Sequence, residues 1–138
     1  MEGAHHEEQK DEIEALECIF VDEYELLSEN PIKFEIHLKA DWDEEESNFV
    51  ELKLIIEFQE EYPEVVPKFQ IKNMSEDRIS NNELYECENL FRHSAEEMLG
   101  EPMIYEITEK LKEYLIEKND VFIEQKEEEE AKAVEAAK

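Results

Sequence analysis

Residues 57–72 read "EFQEEYPEVVPKFQIK", and the meaning of this stretch decides the fold. Two prolines, Pro63 and Pro67, divide two runs that otherwise have the composition of β-strands. Proline fixes φ and donates no backbone hydrogen bond, so neither proline suits the middle of a sheet ladder. Pro63 presets a turn, and Pro67 closes it and admits the next strand. Tyr62 leads in; its ring is large enough to cover the turn, and its hydroxyl can satisfy a backbone group. A strand, a proline turn and a second strand are therefore expected here, with Cys87 further along the chain.

Upstream, residues 49–58 ("FVELKLIIEF") alternate, which points Val50, Leu52, Leu54, Ile56 and Phe58 to one side. Residues 32–39 ("IKFEIHLK") alternate as cleanly, with Ile32, Phe34, Ile36 and Leu38 inward and His37 on the polar, solvent-facing side. Such patterns mark antiparallel strands with one wet face. "YELLS" offers a shorter first strand, and "KFQIK" a last one with Phe69 and Ile71 inward. Short connections imply a meander of about four strands. Between the second and third strands, "ADWDEEESN" is an acidic loop. Counted from Asp41, it places Glu46 and Leu52 where a calcium-binding EF-hand loop needs Gly and Glu, so a solvated connection is expected.

Helices flank the meander. In residues 8–20, Ile13, Leu16 and Phe20 recur at helical spacing against a face of Glu, Lys and Asp. Ser80 with Glu83 three residues on forms a capping-box signature, after which Leu84, Cys87, Phe91, Ala95 and Met98 keep a three-to-four period. Gly100 then reads as the C′ stop and Pro102 as the first turn of another helix. That helix turns Ile104, Ile107, Leu111 and Leu115 inward and Glu106, Glu109, Glu113 and Glu117 outward. From Lys118 the pattern loosens into an acidic extension, 118–138, expected as a fraying helix or disordered tail. One domain over residues 7–117 is expected ahead of it.

The 138 residues carry 41 acids and 14 bases, a formal charge of −27 and a pI near 4.3. This balance excludes the basic surfaces that hold nucleic acid or anionic membranes and favours a basic protein partner. No apolar run is long enough to cross a bilayer, and no signal-peptide core is visible, so a reducing cytoplasmic setting is expected. Cys18 and Cys87 make neither a disulfide framework nor a zinc site, and they read as reduced thiols. His5 and His6 sit in a terminal stretch expected to be unstructured. No metal, cofactor or phosphate-cradling glycine loop is implied; His93 beside Ser94 has no triad partner.

The order of helix, meander, "YPEVVP" and two helices resembles an RWD domain, whose hallmark is Tyr-Pro-x-x-x-Pro after the third strand. Tyr62, Pro63 and Pro67 match it. So do "EIEALECIF" (12–20) and "AEEMLGEPMIYEI" (95–107), with Glu96, Leu99, Gly100 and Ile104 at family positions. The resemblance covers about residues 7 to 117. It implies an α+β fold like that of ubiquitin-conjugating enzymes, with the two C-terminal helices on one sheet face. Through "EEQKDEIEALECIF", "LLSENP" and "AEEMLG", the chain looks most like the RWD-containing partners of developmentally regulated GTP-binding proteins. This resemblance implies a monomeric interaction module of translational control. It would dock on the ribosome-associated HEAT-repeat activator of the starvation-responsive initiation-factor kinase. The family assigns contact with the GTPase mainly to the region after the RWD domain.

The same resemblance raises two alternatives, a ubiquitin-conjugating-like enzyme and a sumoylation adaptor. Conjugating enzymes place His-Pro-Asn ahead of an exposed catalytic cysteine, whereas no His or Pro lies between Pro67 and Cys87. Cys87 also falls on an apolar helix stripe, and its neighbours Glu86 and Glu88 disfavour a thiolate. The expected contact surface is the acidic stripe Glu106, Glu109, Glu113 and Glu117, with the first helix around Glu12 and Glu14 as the fallback.

Overall fold

The computed structural model describes residues 5–29, 31–40, 48–75 and 78–136, with side chains through 129. Helix α1 (His6–Ile19) precedes strands β1 (Tyr24–Glu29), β2 (Ile32–Lys39), β3 (Glu51–Glu57) and β4 (Lys68–Asn73). Helices α2 (Asn81–Glu97) and α3 (Ile104–Ala136) complete the chain. The strands form one antiparallel sheet in the order β1-β2-β3-β4. Residues 41–47 of the acidic loop, with Trp42 and the calcium-test position Glu46, lie outside the described residues.

Alternation dictates which sheet face is covered. Ile32, Phe34, Ile36 and Leu38 of β2 join Leu52, Leu54 and Ile56 of β3, Val50 and Phe58 flanking it, and Ile71 of β4 in one core. Leu16 and Phe20 close this core from α1, Cys87, Phe91 and Ala95 from α2, and Ile104, Ile107, Leu111 and Leu115 from α3. The opposite sheet face carries a charged mosaic in which Lys53 pairs with Glu35 at 3.5 Å and Lys68 with Glu57 at 3.4 Å. His37 belongs to this face but is half-buried rather than freely solvated. Its Nε2 lies 3.5 Å from Glu51 Oε1, close enough for an ion pair when protonated but too long for a good hydrogen bond.

Local chemistry explains most element ends. Ser80 Oγ accepts from Glu83 N at 3.1 Å while the Glu83 carboxylate accepts from Ser80 N at 3.0 Å, completing the capping box. The far end of α2 differs from expectation. The helix caps at Met98, so Gly100 lies one residue beyond the C′ position, at φ +92°. A Cβ there would meet no atom within 4 Å, so backbone conformation alone makes glycine favourable. Pro102 likewise lies ahead of α3, which starts at Ile104. Helix α1 starts at His6, because Gln9 donates its backbone N–H to His5 O at 2.9 Å and begins the helical pattern earlier than the apolar spacing does.

Helix α3 has 33 residues and runs without interruption through position 118. Asn119 is 3% exposed, and its Oδ1 accepts from Phe49 N at 2.7 Å. The Phe49 ring faces Phe122 at 6.1 Å, with Arg78 and Lys126 over the ring at 5.4 and 6.0 Å. The second half of α3 therefore clasps the chain entering β3, a contact that the loosening apolar period conceals.

Candidate interaction surface

The proline turn is held from three sides. The Tyr62–Pro63 peptide is cis, and Tyr62 is 1% exposed. Its ring stacks on Phe58 with centroids 4.1 Å apart, and Phe58 meets Phe34 edge-on at 5.4 Å. The Tyr62 hydroxyl donates to the Glu12 carboxylate, at 2.7 Å from Oε1 and 3.0 Å from Oε2, and accepts from Met103 N at 3.1 Å. Glu12 Oε2 also accepts from Ile104 N at 3.0 Å, so the carboxylate caps the first turn of α3 from another helix. Gln9 Nε2 donates to the carbonyls of Gln59 and Tyr62 at 2.9 and 3.0 Å, and Gly100 N donates to Pro63 O at 2.7 Å.

Glu12 was expected on the polar face of α1 and as part of a fallback contact surface; it is instead buried, 9% exposed. Burial pushes its carboxyl above the usual range, opposed by the bonds from Tyr62 and the α3 backbone. The apolar spacing hid this role, but a signal was present. Gln9 and Glu12 extend the buried line of Leu16 and Phe20 by helical steps, which places two polar residues at core-facing positions. Tyr62, Pro63 and Pro67 are all buried, so they build the domain and present little surface.

Cys87 is fully buried on α2. Desolvation, reinforced by the Glu86, Glu83 and Glu88 carboxylates, pushes its thiol up to about 12. A nucleophile needs a thiolate and access to substrate, and Cys87 has neither at neutral pH. Cys18 is the exposed thiol. Among the described residues, no group of three His, Cys, Asp or Glu side chains is placed to hold a metal ion, and no helix is long and apolar enough to cross a membrane.

On α3, Glu106, Glu113 and Glu117 are exposed and Glu109 is half-buried, opposite the fully buried line of Ile104, Ile107, Leu111 and Leu115. Lys110 and Lys112 flank the acids; Lys110 Nζ reaches Ser94 Oγ at 3.5 Å. The four acids thus share one side of a helix whose other side is anchored in the core. A rigid acidic stripe of this kind can meet a basic surface without a large ordering cost to its backbone.

The RWD family model matches residues 7–115, which contain α1, the four-stranded meander, the proline turn, α2 and the first part of α3. This chain belongs to the RWD domain family. Its structure is similar to the solution structure of the RWD domain of mouse GCN2, with a TM-score of 0.73 and 25% identity over 85% of this chain and 88% of that one. In sequence it is similar to the E3 ubiquitin-protein ligase RNF25 of Bos taurus, 31% identical over 113 residues, and to that of Mus musculus, 33% identical over 112 residues. Each match covers 78% of this chain but only 24% of the relative, so the likeness lies in one region of a much longer protein. The RWD domain is a protein-interaction module on the ubiquitin-conjugating fold. The likeness to the partners of developmentally regulated GTP-binding proteins is a finer assignment than these matches make.

Proposed function

We propose that this RWD domain is a non-catalytic, cytoplasmic docking module of translational control. It presents Glu106, Glu109, Glu113 and Glu117 to a basic stretch of the ribosome-associated HEAT-repeat activator of the initiation-factor kinase. The observation that carries this reading is the acidic stripe on α3 set opposite its fully buried apolar line. The likeness to the GCN2 domain supports the partner class, and the burial of Cys87 supports binding over thioester chemistry. A developmentally regulated GTPase is a second partner, reached through the region after residue 117.

The test is capture of the purified HEAT-repeat activator by the parent chain and by the Glu109→Lys/Glu113→Lys variant. Reversal is expected to weaken capture by about tenfold while the thermal midpoint hardly moves, and added salt should weaken the parent in the same direction. Equal capture at low salt removes the acidic stripe from the interface. The RNF25 relatives favour a second reading, in which the domain recruits a protein to a ubiquitin ligase. Capture of ligase substrates or conjugating enzymes, with no capture of the activator, would select it.

A further inference from the structure

Among the described residues, strand β1 is an edge of the sheet, and its register shows which backbone groups face outward. Tyr24 and Leu26 oppose Ile36 and Phe34, and His37 N donates to Glu23 O at 3.0 Å. That bond makes Tyr24↔Ile36 a non-hydrogen-bonded pair, so Glu25 bonds toward β2 and Leu26 directs its N–H and C=O to the free edge. A bulge follows between Leu26 and Ser28. Leu26 and Leu27 are 38% and 44% exposed, unusual for an edge that only meets water. Beside this edge opens a groove of about 850 Å³, lined by Ile13 of α1, Leu26, Ile32 and Phe58 together with charged residues, the acids Glu29, Glu57 and Glu60 and the bases Lys10 and Lys68.

We propose that the β1 edge is a second docking site, which takes an extended basic peptide segment of a partner protein as a fifth strand. Alternate apolar side chains of that segment would enter the groove beside Leu26, and its basic side chains would lie on the outer side. Charge decides between possible occupants. Residues 20–29 ("FVDEYELLSE") contain Asp22, Glu23, Glu25 and Glu29 and no base, and Glu17 of α1 is close enough to help raise the Tyr24 hydroxyl. A second copy of this chain would set these carboxylates against their own counterparts, in a molecule already at −27. A basic strand gains both the main-chain bonds and the charge contacts.

The probe is a capped heptapeptide, Lys-Val-Lys-Val-Lys-Val-Lys, titrated into the whole chain and followed by amide NMR. Shifts are expected at Glu25, Leu26 and Ser28, with the Leu26 amide becoming protected from solvent exchange. With the peptide antiparallel to β1, N-methylation of the valines blocks the edge that faces β1, whereas N-methylation of the lysines blocks the other edge. The first is expected to weaken binding by about tenfold or more and the second to leave it unchanged, at identical charge. The Glu23→Lys/Glu25→Lys variant, which reverses the two acids on the outer face of β1, should weaken the parent peptide and favour its Glu-Val counterpart. Absence of binding, equal binding of both methylated peptides, or shifts centred on Glu106 to Glu117 would overturn the proposal. An intact β1 edge with no activator capture would instead count against the α3 reading alone.

Discussion

The Tyr62 hydroxyl and the Glu12 carboxylate, fifty positions apart in the chain, meet at 2.7 Å inside the domain. Together they join α1, the proline turn and the start of α3, because Met103 N donates to the hydroxyl and Ile104 N to the carboxylate. The hallmark tyrosine therefore fastens three elements to one another.

Removal of that junction has graded consequences. Tyr62→Ala should lower stability by about 3–5 kcal/mol, since a fully buried aromatic ring stacked on Phe58 is lost. Tyr62→Phe keeps the stacking but strands the Met103 N–H and one Glu12 contact, for a loss of about 1–3 kcal/mol. Chemical denaturation measures both. A Tyr62→Phe domain as stable as the parent would show that the hydroxyl contributes nothing net.

Glu12 makes stability depend on pH in a defined direction. Its carboxyl is raised in the folded state by burial, so the folded chain holds that proton more tightly than the unfolded chain. Its contribution is thus fully present below the ordinary glutamate value and is lost as pH rises through the raised folded value. The difference in stability between parent and Glu12→Gln should shift in favour of Gln as pH rises from about 4.5 toward neutrality. Subtracting the two pH profiles removes the shared repulsion of the other acids. A pH-independent difference would mean that Glu12 titrates normally.

The two thiols should differ sharply in reactivity. Cys18 is exposed and should be alkylated in the native state, whereas Cys87, buried and pushed up to about 12, should react only on unfolding. Cys87→Ala should cost about 1 kcal/mol and leave partner capture intact. A thioester between Cys87 and ubiquitin, in the presence of activating enzyme, would refute the binding-module reading.

The clasp on β3 gives a test of the second half of α3. Asn119→Ala leaves the Phe49 N–H without its carbonyl-oxygen partner and should cost about 1–3 kcal/mol, although residue 119 lies past the matched family region. Truncation after residue 117 should cost more, because the Phe122 and Lys126 contacts with the Phe49 ring go with it. An unchanged melting curve for both variants would make this part of the helix dispensable.

The sequence alone determined the elements whose signals are local. Strict alternation at 32–39 and 50–58 assigns each side chain to a sheet face, because the strand period is two. Ser80 and Glu83 mark the start of α2 by a bond that spans one turn, and Tyr62, Pro63 and Pro67 identify the turn and the family. The acidic side of α3 is legible for the same reason, since helical spacing places it opposite the apolar line. Tertiary structure decided what local pattern leaves open. Glu12 belongs by type to a solvated face, and only the meeting of α1 with Tyr62 and the α3 backbone gives its carboxylate enough donors to be buried. Asn119 and Phe49 are partners across seventy positions, so no periodicity within α3 could reveal their contact. The outward backbone of Leu26 follows from register against β2, a relation between strands rather than a property of either.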